Sequence, residues 1–284
     1  MTDPSTVPTL TIADGVEIPQ VGLGVFQVPD VETEANVASA LDLGYRHVDT
    51  AAGYYNEAGV GAALAKSGLA REQYFVTTKL RNGDQGRQSA LEAFEASRAA
   101  LGLDVVDLYL VHWPVPSQDR YVETWHAFED LRQAGKVRAI GVSNFLPEHL
   151  ERLVEETGIV PAVNQIEVHP TFQQPQTQER CRELGIVVEA YSPLGQGADL
   201  DAPAVTAIAA ELGVTPAQVV LRWHLQQGRV VIPKSSSAER QATNIDLFSF
   251  ELTEEQVAQV DALERGEEGR IGADPRTAAF TQYR

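Results

Sequence analysis

The 284-residue chain has one cysteine, Cys181, and one methionine. A lone thiol cannot form an intramolecular disulfide, and nothing resembles a Cys/His cluster with metal-ligand spacing, so no metal site is expected. Basic residues are scarce: 22 Lys and Arg against 40 Asp and Glu leave a formal charge of −18. That balance excludes a nucleic-acid partner bound through phosphate neutralisation. No stretch approaches 18 uncharged apolar residues, and the opening Met-Thr-Asp-Pro-Ser has neither a basic n-region nor an apolar h-region. The expectation is a cytoplasmic protein with no membrane span. Linkers rich in Ser, Pro or Gly are also missing, so residues 1–284 read as a single domain, whose 43% hydrophobic content can supply a sizeable core.

The pattern along the chain is alternation. Thr9–Ile18 predicts two short strands around Asp14-Gly15, a dipeptide suited to the positive φ of a hairpin. Eight strands follow: Gly22–Phe26, Tyr45–Thr50, Tyr74–Leu80, Val106–His112, Val137–Ser143, Ala162–Val168, Val187–Tyr191 and Val230–Lys234. Helical patterns separate them, and Leu252–Arg265 reads as one more helix capped by Thr253. The fold class is therefore α/β, a (β/α)8 TIM barrel with an N-terminal β-hairpin and an extra C-terminal helix. An open doubly wound sheet would need Gly-x-Gly-x-x-Gly after an early strand, but Gly22-Leu-Gly24 is followed by Val25-Phe26-Gln27. Gly266–Arg284 is expected to pack over one end of the barrel.

In such a barrel the active site lies where the strands end. Those ends carry Asp49 with Tyr54 just beyond, Lys79, His112-Trp113, Ser143-Asn144 and Lys234-Ser235. Buried strands end in such groups when a site is being built, because an unpaired buried charge is costly. Tyr54 is a poor acid at its ordinary pKa. An ammonium at Lys79 would lower that value, Asp49 would hold Lys79, and His112 could donate to a carbonyl oxygen. The set has no activated nucleophile, so another group must supply reducing equivalents.

Three long motifs carry a resemblance. Gly44-Tyr-Arg-His-Val-Asp49-Thr-Ala-Ala-Gly-Tyr54-Tyr-Asn-Glu57-Ala-Gly-Val-Gly61, Val137-Arg-Ala-Ile-Gly141-Val-Ser-Asn144-Phe145 and Ile232-Pro-Lys234-Ser-Ser-Ser-Ala-Glu-Arg240-Gln-Ala-Thr-Asn244 resemble, in order, the three signatures of the aldo-keto reductases. The resemblance covers nearly the whole chain. It implies a barrel that binds NADPH, with NADH taken at lower affinity, and passes hydride to a small carbonyl substrate. By position it makes Tyr54 the general acid, with Lys79 and Asp49 tuning it and His112 orienting the substrate. Ser143, Asn144 and Gln165 would hold the carboxamide and Tyr191 would stack on the nicotinamide ring. Gly24 and Val25 would flank the cofactor, while Ser192, Leu194 and Gln196 would line the pyrophosphate crossing. Lys234, Ser235, Ser236, Arg240 and Asn244 would grip the 2′-phosphate and adenine. A dianion independently calls for Lys, an Arg fork and hydroxyls in one loop-to-helix turn.

Phe26, Tyr55, Trp113 and the tail near Phe280 and Tyr283 are the expected specificity surfaces. Many bacterial and plant-type members have Trp where this chain has Arg81, which suggests an anionic substrate such as a keto-sugar acid. Trp125 and Trp223 read as packing, and His47, His126, His149, His169 and His224 as satisfied core histidines. Gly22, Gly24 and Gly141 read as sites of close strand or cofactor approach. A monomer is expected. Two other classes compete: a non-catalytic NADPH-binding regulatory barrel, which would need no poised proton donor, and a barrel hydrolase, which would need a carboxylate pair at the strand ends.

Overall fold

The computed structural model describes residues 7–281; Met1–Thr6 and Gln282, Tyr283 and Arg284 lie outside them. Two short antiparallel strands come first, β1 (Thr9–Thr11) and β2 (Glu17–Pro19). The turn is broader than the predicted two-residue hairpin, because Ala13–Gly15 form a 3-10 turn with Gly15 at φ 73°. Eight parallel strands follow: β3 (Leu23–Gly24), β4 (His47–Asp49), β5 (Phe75–Leu80), β6 (Val106–Val111), β7 (Val137–Ser143), β8 (Val163–Glu167), β9 (Val187–Tyr191) and β10 (Val230–Val231). They pair in sequence order. Parallel bridges Val21–Val231 and Gly24–Lys234 join the last strand to the first and close the barrel.

The helices are α1 (Asp30–Asp42), α2 (Glu57–Lys66), α3 (Arg87–Leu101), α4 (Tyr121–Gln133), α5 (Pro147–Thr157), α6 (Pro175–Leu184), α7 (Pro203–Leu212), α8 (Pro216–Gln226), α9 (Ala238–Ile245) and α10 (Glu254–Asp261). Local chemistry sets their ends. Pro147, Pro175, Pro203 and Pro216 open four of them, where a missing N–H costs nothing. Gly102, Gly158, Gly185 and Gly213 end four in the left-handed region. Thr253 caps α10 as expected, accepting from the Gln256 N–H. No single helix among the described residues is long and apolar enough to cross a membrane; α7 and α8 would meet that test only together, and they bend by 95°.

The core has two main compartments, with a small third cluster of Trp113, Val115 and Ala278. The larger lies between strands and helices, where Tyr109 stacks on Phe128 with ring centroids 4.4 Å apart. The smaller lies within the barrel, where Leu108, Leu110, Phe75 and Val163 meet Ile12, Val16 and Ile18 of the hairpin. The hairpin thus plugs the N-terminal end and leaves the other end open. The tail crosses that open end: the Arg265 N–H donates to Thr171 O (3.0 Å), and the Gly83 N–H to Thr281 O (3.1 Å).

Glycine permits the tightest strand contacts. A Cβ on Gly141 would lie 2.7 Å from both Leu110 Cδ2 and the backbone oxygen of Val163. Gly141→Ala is therefore expected to destabilise the fold by about 1–3 kcal/mol through overpacking, measured from the denaturant midpoint; an unchanged midpoint contradicts this packing.

Candidate active site

A cleft of about 330 Å³ opens at the C-terminal ends of the strands. Its walls include Asp49, Tyr54, His112, Ser143, Asn144, Gln165, Tyr191 and Lys234, drawn from six strands and the loops beyond them. Tyr54 reaches it from a 3-10 turn, Ala52–Tyr54, just after β4. Asn56 braces that turn, accepting from Thr50 Oγ1 (2.8 Å) and donating to Val25 O (2.9 Å) and Val28 O (3.1 Å). Tyr55 then takes φ 59°, turning its ring outward.

Lys79 is fully buried. Its Nζ lies 2.6 Å from Asp49 Oδ1 and donates to Thr50 O (2.9 Å) and Tyr54 Oη (3.4 Å). A buried ammonium is tolerable only with such partners. The other Asp49 oxygen accepts from Gln165 Nε2 at 2.8 Å. Burial pushes Asp49 up while Lys79 holds it down. The expected lowering of Tyr54 does not occur in this cleft. Burial, then Asp49 and Glu189, push its hydroxyl well above the ordinary phenol value, so it stands as a protonated donor. His112 lies edge-on to Tyr54, ring centroids 5.6 Å apart. Burial, then Lys79, keep its imidazole neutral.

Backbone conformations on the facing wall are constrained. Asn144 sits at φ 63°, a region Asn tolerates. Its Nδ2 donates to His112 O and Ser143 Oγ, both at 3.0 Å, and its Oδ1 accepts from Tyr191 Oη at 2.8 Å. Ser192 (φ 47°) and Gln196 (φ 53°) are held in the same region. Such strain clusters at ligand sites. Gly24 lines the cleft too, but the close contact it permits is with the segment just beyond β10: a Cβ there would lie 2.8 Å from Ile232 O. Val25 is buried, and Leu194 is half-buried beside the Ser192 turn.

Beyond Lys234 the chain enters α9 through Ser235, Ser236 and its cap Ser237, whose side chain accepts from the Arg240 N–H. Ser235 is buried, its carbonyl accepting from Asn36 Nδ2 (2.8 Å) and Gln241 Nε2 (3.1 Å), and Asn244 is buried behind it. Lys234, Ser236 and Arg240 are exposed. Lys234 and Arg240 are the exposed basic side chains, among the described residues, with no carboxylate within ion-pair distance. In a chain this acidic, two unpaired cations beside a helix N-terminus form a ready anion site.

Three further expectations need correction. His126 is exposed on α4 and is not a core histidine. Arg81 does not line the cleft; it forms a bidentate pair with Asp84 (2.9 and 3.0 Å) three residues on, so its charge is locally neutralised. Tyr55 is 56% exposed and likewise stands outside the lining. Phe26, Trp113 and Phe280 do form the wall next to Tyr54: Phe26 lies 5.0 Å from Tyr54 and Phe280 lies 5.1 Å from Trp113, ring to ring. Among the described residues no group of three His, Cys, Asp or Glu side chains is placed to hold a metal.

The strand ends hid two inward-facing carboxyls, Glu167 and Glu189. For Glu189 the signal was an acid inside an otherwise apolar strand; Glu167 closes a strand that already holds Asn164 and Gln165. Glu167 accepts the backbone N–H of Ile271 (2.7 Å) and Gly272 (2.8 Å), tying the tail across the cleft. His169 Nε2 lies 3.1 Å from Glu167 and its Nδ1 lies 2.7 Å from Asp199, so the ring clamps the end of β8 to the loop after β9. Burial opposes its charge, but the bonds to Asp199 and Glu167 raise it from 6.5 to about 9. A raised folded value means stability fully present below the unfolded value and lost as pH rises through the folded one. The native melting temperature should therefore fall between pH 6.5 and about 9 relative to His169→Gln; parallel melting curves contradict the clamp.

Known proteins resemble this chain over nearly its whole length. The model of the Aldo/keto reductase family matches residues 20–265. An aldo-keto reductase of Mycolicibacterium smegmatis is 55% identical over 274 residues, 96% of this chain and 99% of that one. A crystal structure of a Gox0644 mutant in complex with NADPH superposes with TM-score 0.93 at 47% identity, covering 97% of this chain and all of that one. A Bombyx mori aldo-keto reductase in complex with NADP gives TM-score 0.86 at 39% identity, over 91% and 93% of the two chains. The chain belongs to the aldo/keto reductase family.

Proposed function

We propose that this protein is an NADPH-dependent carbonyl reductase that converts a small aldehyde or ketone to its alcohol. The observation that carries this reading is the buried Lys79 ammonium, held by Asp49 and 3.4 Å from a Tyr54 hydroxyl at the cleft floor. When bound, NADPH supplies the hydride to the carbonyl carbon. Tyr54 gives its proton to the carbonyl oxygen, and Lys79 stabilises the phenolate left behind. Neutral His112 donates a hydrogen bond to the same oxygen and sets the substrate's orientation.

The cofactor's fit rests on the donors present. Ser143, Asn144 and Gln165 present amide and hydroxyl groups for a carboxamide, and the half-buried Tyr191 ring, anchored on Asn144, offers a stacking face. Gly24 borders the same cleft, and Val25, next in the chain, is buried. Ser192, Leu194 and Gln196 form the turn suited to a pyrophosphate. Lys234, Ser236 and Arg240 face solvent where a 2′-phosphate would need them, with Ser235 and Asn244 behind, which favours NADPH over NADH. The proposed substrate is an uncharged carbonyl with an apolar or aryl body, because Phe26, Trp113 and Phe280 wall the pocket and Asp84 neutralises Arg81. That pairing removes the physical ground for a keto-sugar acid. The buried proton donor weighs against a purely binding role.

Tyr54→Phe should lower turnover of a generic aldehyde by roughly 100- to 10,000-fold while NADPH binds as before. Native-like turnover contradicts the assignment. Replacing Lys234 and Arg240 together by Ala should raise the KM for NADPH by roughly tenfold or more and leave that for NADH little changed; equal effects on both cofactors contradict the phosphate site.

A further inference from the structure

A second carboxyl faces Asp49 from across the barrel interior. Glu189, on β9, is fully buried. Its Oε2 accepts from Gln165 Nε2 at 2.8 Å, and the same nitrogen donates to Asp49 Oδ2 at 2.8 Å. An amide nitrogen has two hydrogens, so both are used. The carbonyl Oε1 is then the remaining polar atom of that amide, on a residue that lines the cleft. Two carboxyls on one amide settle which way it faces.

Glu189 Oε1 has no hydrogen-bond partner and lies 3.6 Å from His47 Nε2. A buried carboxylate with one bare oxygen is costly, whereas a neutral acid in the same place is tolerable. The titratable groups around it are His47 and Asp49 from β4, Lys79 from β5 and Tyr54 from the turn beyond β4. Lys79 is the one cation among them, and Asp49 holds it at 2.6 Å. Burial drives His47 down to about 3, so it offers Glu189 no positive charge near neutrality.

We propose that Glu189 is a positioning residue for carbonyl reduction: as a neutral carboxylic acid it fixes the Gln165 amide against Asp49 and leaves Lys79 with a single counter-ion. The proposal rests on the reductase reading above. Two consequences follow from the contacts. Gln165 presents its oxygen to the cleft, so a ligand there must bring an N–H donor. Loss of the Glu189 proton places a second negative charge behind Lys79 and makes the Tyr54 phenolate harder to form. Burial, then Asp49, raise Glu189 to about 8, which places that loss in the mildly alkaline range.

The test compares native protein, E189Q and E189A as full chains, with Y54F as the control for the underlying reaction. Each is measured for kcat and KM with a generic aldehyde, NADPH Kd, melting temperature and pH profile. E189A should lower kcat by roughly tenfold or more and weaken NADPH binding, because Gln165 is free to rotate. E189Q, which keeps a neutral group of the same shape, should restore most of that loss and shift the alkaline limb near pH 8. A merely structural role would lower both melting temperatures and leave the pH profile in place. The proposal is overturned if E189Q is as impaired as E189A, or if native protein and E189Q share one pH profile; the second comparison stands even if E189A fails to fold. Native turnover by Y54F would instead sink the reductase reading itself.

Discussion

Everything at the open end of this barrel depends on a lysine ammonium buried among strands. Taking that charge out of water costs several kcal/mol unless its partners are placed in advance. Asp49 at 2.6 Å and Thr50 O at 2.9 Å meet that requirement, and the third direction of the ammonium points at Tyr54. β4 and β5 pair side by side, which brings Asp49 and Lys79 to adjacent interior positions. The pair therefore fixes strand register and cleft floor together. Tyr54 comes to it on a short turn held by Asn56, a buried amide bonded to Thr50 just before that turn and to Val25 and Val28 in the loop after β3.

Charge is distributed with the same economy. The surface cations are spent on neighbouring acids, many at i,i+3 spacing, such as Arg98–Glu95, Arg132–Glu129 and Arg182–Glu179. Exposed pairs of this kind add little stability, but they leave few free positive charges. Lys234 and Arg240 stand out against that background at the mouth of α9. An acidic chain repels a polyanion at long range, so local cations must decide where one can bind.

Much of this was legible in the sequence. Alternation located all eight barrel strands, and β7 and β9 fall on their expected limits, because near-continuous apolar runs mark buried parallel strands. The barrel's first and last strands came out shorter than expected, since closure there rests on isolated bridges at Val21–Val231 and Gly24–Lys234. Residue chemistry at the strand ends pointed to Asp49, Tyr54, Lys79 and His112, and the structure brings all four together. Other features needed three dimensions. Arg81 read as a free cation because a pairing with Asp84 depends on the turn between them. Glu167 and His169 at the end of β8 meet Asp199 only when the loop after β9 folds back on them, and Gly272 of the tail is seated on Glu167. The direction of the Tyr54 shift also reversed, because burial and two carboxyls outweigh one nearby ammonium.

In the proposed reaction Lys79 works on the proton held by Tyr54 and not merely on the fold. The most direct measure of this is the single-turnover rate of aldehyde reduction in Lys79→Met, taken with NADPH Kd and melting temperature on the same preparations. The expected rate is lower by roughly 100-fold or more in protein that still folds and still binds NADPH. A rate equal to that of native protein would contradict it.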